Sequence, residues 1–168
     1  MNYAMQAFGV YKESEVTSSL KMRDFKDATD LILHGGGTEN MDTVVRRLTP
    51  LECERLQGFP DGWTDIGEWA DTNGKIRQTT DSARYKALGN SICLPRWKVL
   101  ARRIAAQYER DITVGSLFDG ISGFPVVFEQ VGGHARWSSE IEEFPIAVCK
   151  RHFGDEDAGV EGDRMHMR

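Results

Sequence analysis

The stretch that decides the fold runs from Val114 to Phe124 and reads VGSLFDGISGF. Two local signals meet in it. Ile112 to Leu117 is a short β-prone run, and Gly120 to Gly123 is a glycine-rich turn whose backbone can approach a ligand closely. Phe124 to Val131 then suits a helix that Gly132-Gly133 ends. His134 to Ser138 is a second strand, and Phe144 to Phe153 a second helix, with Phe144, Val148 and His152 at four-residue spacing. Strand, glycine turn, helix, strand, helix is the opening of a doubly wound α/β domain. In such a unit an acidic residue roughly 20 positions on, at the end of the second strand, is placed for ribose hydroxyls. Glu140 stands there.

Toward the N-terminus the pattern is helical. Thr49, Pro50 and Glu52 form a capping-box pattern, Leu51, Arg55 and Leu56 continue a short helix, and Gly58 and Pro60 stop it. Asp61-Gly62 is a turn, and residues 66–80 are polar and read as a loop. Asp81 or Ser82 can cap a second helix through Leu88, which Gly89-Asn90-Ser91 breaks. Leu94 to Tyr108 carries Leu94, Trp97, Leu100, Ala101, Ile104, Ala105 and Tyr108 at the spacing of an amphipathic helix. Before Arg46 the period is weak. Asp30 to His34 reads as a short strand entering the turn Gly35-Gly36-Gly37, and residues 1–40 read as loops and short strands without a core of their own.

A chain of 168 residues suffices for one compact domain, and 40% hydrophobic and 28% charged residues suit a soluble one. No run approaches the roughly 18 to 20 apolar residues that span a bilayer, and the N-terminus lacks the flank and core of a signal peptide. A cytoplasmic protein without membrane contact is expected. The net charge of −5 argues against a free-standing nucleic-acid binder, although Arg46-Arg47 and Arg96, Lys98, Arg102 and Arg103 form local basic clusters. Acid gathers late, around Glu140, Glu142, Glu143, Asp155, Glu156 and Asp157, which suits a ligand offering hydroxyls and amines. The three cysteines, Cys53, Cys93 and Cys149, are far apart and form no CxxC, so neither a disulfide framework nor a metal site is expected. They read as small, buried residues.

Several segments resemble motifs of the DNA cytosine-5 methyltransferases. Residues 114–124 look like the first motif, residues 137–144 (WSSEIEEF) the second, and Glu161-Gly162-Asp163 the start of the third. Residues 46–60 (RRLTPLECERLQGFP) are similar to the ninth and residues 82–96 (SARYKALGNSICLPR) to the tenth. The resemblance implies a partial Rossmann-like, S-adenosylmethionine-dependent α/β fold with parallel strands, and DNA as substrate. It also implies roles. Phe118 would lie against the adenine, with Ile141 on its other face. Asp119, Gly120, Ile121 and Ser122 would form the turn at the methionine end, the last three approaching through their backbones. Glu140 would hold the ribose hydroxyls, and Asp163 would accept from the adenine amine. Asn90, Ser91 and Ile92 would close the pocket.

The departures are specific. The family's usual acid before Leu117 is Ser116 here, and a family glycine is Ser122, which would be strained if that position needs φ > 0. The family's nucleophilic cysteine follows a proline, and the five prolines here precede Leu51, Asp61, Arg96, Val126 and Ile146, so no catalytic residue is assigned. Glu39-Asn40-Met41 only superficially resembles the family's Glu-Asn-Val. The motifs run ninth, tenth, first, second, third, a permuted order that the short join from Ala106 to Ile112 makes geometrically simple. Three segments follow: residues 1–45 as the tail of a target-recognition region, 46–110 as the helical ninth and tenth motifs, and 111–168 as the first half of the cofactor domain. The expectation is the cofactor-binding portion of a permuted, split or truncated enzyme, inactive alone, whose catalytic loop comes from a second polypeptide or a missing continuation. A decayed prophage remnant and a cofactor-binding accessory protein are the rivals. With so few strands the sheet keeps an open edge, so a homodimer is also expected.

Overall fold

A computed structural model describes residues 46–154 with their side chains, the backbone of four strands in the first 47 residues, and helical backbone as far as Asp157. The Gly35-Gly36-Gly37 run, Glu39, Asn40, Glu161 and Asp163 lie outside the described residues. Strands β1 (Asn2–Ala7), β2 (Val10–Ser14), β3 (Asp30–His34) and β4 (Val44–Arg47) form an antiparallel sheet in the order β2-β1-β3-β4. The expected strand at Asp30 is β3. Arg47 pairs with Leu31 and Arg46 with Ile32, so β4 runs across residue 45 and leads directly into the first helix.

Helix α1 (Pro50–Gln57) starts as its sequence dictates. The Thr49 hydroxyl accepts the Glu52 N–H, and the Glu52 carboxylate accepts the Thr49 N–H at 2.8 Å. Arg46 grips the same carboxylate with two hydrogen bonds, of 2.7 and 2.6 Å. The Arg46 guanidinium, helped by the Thr49 donors, holds Glu52 at about 2. Gly58 ends the helix at φ 82°, and a Cβ there would sit 2.6 Å from the ring of Pro95. Glycine therefore serves both the left-handed turn and the approach of the next helices.

Residues 66–80 are not the expected loop. They hold a hairpin of β5 (Glu68–Ala70) and β6 (Ile76–Gln78). Asp71 builds its turn: one carboxylate oxygen accepts the Asn73 and Lys75 N–H groups and the other accepts from Arg77 at 2.8 Å. Trp69 packs edge-on against Phe144, its ring centroid 5.7 Å away. The next helix, α2 (Asp81–Gly89), is capped by Thr80, whose hydroxyl accepts the Ala83 N–H, and not by Asp81 or Ser82. Helix α3 (Leu94–Ala105) stops short of Tyr108, because Gln107 and Tyr108 turn back onto Ile104 and Ala105 in tight three-residue turns. Only the side bearing Leu94, Trp97 and Ala101 is covered. Leu100, Ile104 and Tyr108, expected on the same apolar face, are exposed.

The chain then forms β7 (Thr113–Leu117), α4 (Gly123–Glu129), β8 (His134–Ser139) and α5 (Glu143–Asp157), the last broken at Gly154. Strands β7 and β8 pair in parallel, Ser116 opposite Ser138 and Leu117 opposite Ser139. This α/β unit, a parallel pair joined through a helix, is the partial Rossmann-like methyltransferase fold expected for the chain. Val114 and Ser116 point toward the core, whereas Thr113, Leu117 and Trp137 are exposed. The core runs through Cys53, Phe59, Trp63, Leu88, Leu94, Ile121, Val127, Phe144 and Val148, so both halves share it. No helix among the described residues is long and apolar enough to cross a membrane.

Candidate functional site

The site gathers where β7 and β8 end. Strand β7 delivers Phe118 to the tip of the turn at φ 54° and with 83% of its surface exposed. A bulky residue with positive φ is strained, and such strain concentrates at functional positions. Ile141, just past β8, is 79% exposed. Two large apolar side chains thus stand uncovered at neighbouring strand ends, with the turn between them. Gly120 has φ 60°, and a Cβ there would face open space.

Glu140 ties the two strand ends together. One carboxylate oxygen accepts the Gly120 N–H at 2.7 Å, and the other accepts the N–H groups of Ile141 and Glu142 at 2.7 and 2.9 Å. A carboxylate offers about four acceptor positions. Three are taken by backbone, so Glu140 shapes the turn with one acceptor position left over.

Beneath the turn lies a polar cluster. Ser116 donates to Asp119 at 2.5 Å, while the other Asp119 oxygen is buried without a hydrogen-bond partner. Burial pushes the Asp119 carboxyl above its ordinary value, against the pull of the Ser116 hydroxyl. Ser122, at φ 66°, is in the left-handed conformation that glycine favours, and its side chain is buried.

The helical segment closes the site from one side. A Cβ on Gly123 would lie 2.7 Å from Ile92 and 3.3 Å from the Ser91 hydroxyl, so only glycine lets the two segments touch here. The Trp63 indole N–H donates to the Ile121 carbonyl at 2.9 Å. The same indole stacks on His152 at 3.7 Å, and a His152 ring nitrogen lies 2.7 Å from the Trp63 carbonyl. Behind these contacts Glu54 is fully buried. It accepts from the Gly62 and Thr64 N–H groups, the Thr64 hydroxyl and Arg84. That network clamps the loop that carries Trp63.

Of the residues expected from sequence, Phe118, Gly120, Ser122, Glu140 and Ile141 converge, with Ser91 and Ile92 against Gly123. Asn90 caps α2 and is exposed. Ile121 is buried and contributes its carbonyl to Trp63, while Asp119 is buried below the turn. Trp63 was absent from the expected set. Its signal was a tryptophan in an otherwise polar turn, Asp61-Gly62-Trp63-Thr64-Asp65. Cys53 and Cys149 are buried as expected, and Cys93 partly so.

The chain is 30% identical to a DNA N-6-adenine-methyltransferase of Escherichia phage P1, over 61% of this chain and 24% of that protein. It is 28% identical to the type II methyltransferase M.NlaX of Neisseria lactamica, over 59% of this chain and 26% of the relative. It is 27% identical to a DNA-cytosine methyltransferase of Escherichia coli, over 59% and 22%. The chain thus spans about a quarter of the length of these relatives. Residues 2–106 match the family described as C-5 cytosine-specific DNA methylase, from β1 to the end of α3. The chain belongs to the C-5 cytosine-specific DNA methylase family.

Proposed function

We propose that this chain is the cofactor-binding portion of a DNA cytosine-5 methyltransferase with permuted motifs, which transfers methyl from S-adenosylmethionine to cytosine C5. The observation that carries this reading is the docking of Ser91 and Ile92 onto Gly123, with the Trp63 indole hydrogen-bonded to the Ile121 carbonyl. The family match ends at residue 106, ahead of the glycine turn, and the join of residues 106–112 leads from one to the other.

The residues present fit the cofactor. Phe118 and Ile141 offer two uncovered apolar surfaces for an adenine ring, and the free acceptor position of Glu140 suits a ribose hydroxyl. Gly120 leaves room for the methionine end. Bound there, S-adenosylmethionine supplies an electrophilic methyl group. This chain's residues bind and orient it, and the thiolate that attacks cytosine comes from elsewhere in the complete enzyme. The open face of the parallel pair, where Leu117 and Trp137 are exposed, is where a further layer would pack, since parallel sheets are buried on both faces. Without it, self-association through this face is expected at high concentration, and a monomer in light scattering counts against the open face.

Calorimetry with S-adenosylhomocysteine tests the reading. Binding that Glu140→Ala weakens at least tenfold is expected, and no heat with the unmutated chain removes the claim. A second reading concerns the base, because one relative carries the name DNA N-6-adenine-methyltransferase. Reconstituted with a partner bearing a Pro-Cys loop, the chain should yield 5-methylcytosine in digested DNA. N6-methyladenine in its place would favour the other base.

A further inference from the structure

We infer that Ser122 and Cys149 form a positioning pair that holds the cofactor turn in shape, the cysteine on α5 acting through the serine that replaces a glycine. This rests on the reading that the turn binds S-adenosylmethionine. The Ser122 hydroxyl donates to Cys149 Sγ at 2.7 Å, and Cys149 Sγ donates to the Gly120 carbonyl at 3.3 Å. Both side chains are buried. The relay Ser122, Cys149, Gly120 therefore spans the turn from below and fixes the carbonyl of its first glycine.

The need for such a pair is conformational. Residue 122 sits at φ 66°, a conformation that any side chain beyond glycine strains. A serine alone there would relax the turn. Anchored by a thiol that accepts from it, Ser122 stays left-handed and its N–H still reaches the Asp119 carbonyl at 3.2 Å. Accepting and donating at once requires a neutral thiol. Burial, with Asp119 and Glu140 nearby, pushes Cys149 up to about 12, so it stays protonated across the physiological range. Among the described residues, the charged groups acting on the thiol are those two carboxyls, one below the turn and one at the end of β8. Nucleophilic chemistry at Cys149 is correspondingly disfavoured, which separates it from the family's attacking cysteine.

The test compares Cys149→Ala, Cys149→Ser and Ser122→Gly in the full chain. The readouts are S-adenosylhomocysteine affinity by calorimetry, thermal midpoint, and amide hydrogen exchange over the turn. Cys149→Ala should weaken binding about tenfold and speed exchange at the turn, and Cys149→Ser, which keeps donor and acceptor, should restore both. In the Ser122→Gly background the same alanine change should lose most of its effect, because the strained side chain is gone. Unchanged exchange at the turn in Cys149→Ala overturns the pair. So does a serine variant no better than alanine, or an alanine effect as large in the glycine background. The exchange measurement needs no ligand. A chain that binds no S-adenosylhomocysteine but shows the exchange pattern keeps the pair and loses the cofactor reading.

Discussion

The two halves of this molecule solve opposite problems. Residues 46–105 are closed: Thr49, Arg46 and Glu52 seal the start of α1, Asp71 seals a hairpin turn, and Glu54 is satisfied on every side by Gly62, Thr64 and Arg84. Residues 113–154 are open. Their two-stranded sheet is covered on one face, their strand ends expose Phe118 and Ile141, and one oxygen of Asp119 is buried unpaired. The strained residues, Phe118 and Ser122, lie on the side where the family's ligand chemistry is expected. The other side holds the networks that press the loop into shape, although Gln57 Oε1 and Trp69 Nε1 are buried there without a hydrogen-bond partner. Rigidity in one half is what allows exposure in the other.

Breaking the closed half should cost most. Glu54→Ala removes a buried carboxylate and leaves Arg84 and two backbone N–H groups without it. A loss of about 3–5 kcal/mol is expected, read by urea denaturation. Gly58→Ala comes next. It forces φ 82° on alanine and drives a methyl group into Pro95, at about 2 kcal/mol.

In the open half, stability and binding should part company. Phe118→Gly relieves a left-handed phenylalanine, so stability should rise by up to about 1 kcal/mol. Binding of S-adenosylhomocysteine should fall at least tenfold in the same variant. A parallel loss of both would mean that Phe118 is a packing residue.

The smallest contrast is in pH. Glu52 titrates near 2 when folded against an ordinary value of 4.5, so the stability it contributes is present above 4.5 and is lost as pH falls toward 2. Asp119 has the opposite sign. Its folded value is raised above 3.8, so stability falls as pH rises from there through that raised value. Glu52→Gln should flatten the acid limb of a stability–pH curve. Asp119→Asn should raise stability at neutral pH and remove the second slope. A wild-type curve with neither slope would contradict both assignments.

How far these features were legible in the chain follows from how local they are. The capping box of α1 uses three residues within four positions, and its start was readable to the residue. The start of α2 was not, because Thr80, Asp81 and Ser82 are all competent caps and packing chooses among them. The 68–78 hairpin escaped notice because its strands are three residues each and mostly exposed, with no alternation to read. The stripe on α3 misled for the converse reason: its period is real, but α4 covers only part of it. At the strand ends, the glycine-turn spacing pointed to Glu140, and the family resemblance singled out Phe118 and Ser122, the latter with the positive φ that a serine in place of a glycine put in question. Trp63 and Cys149 were missed because each reaches the turn from a distant segment. Glu54 likewise gave no sign of burial, since one of its partners, Arg84, is thirty positions away.

The seven-residue join at 106–112 between α3 and β7 has one further consequence. It makes docking of the helical segment onto the glycine turn intramolecular, at an effective concentration in the millimolar range for so short a tether. The Trp63–Ile121 bond and the Ile92–Gly123 contact can then be individually weak and still be made nearly all the time. A single protease cut in that join would leave every contact intact and yet turn a permanent assembly into one that dilution can separate.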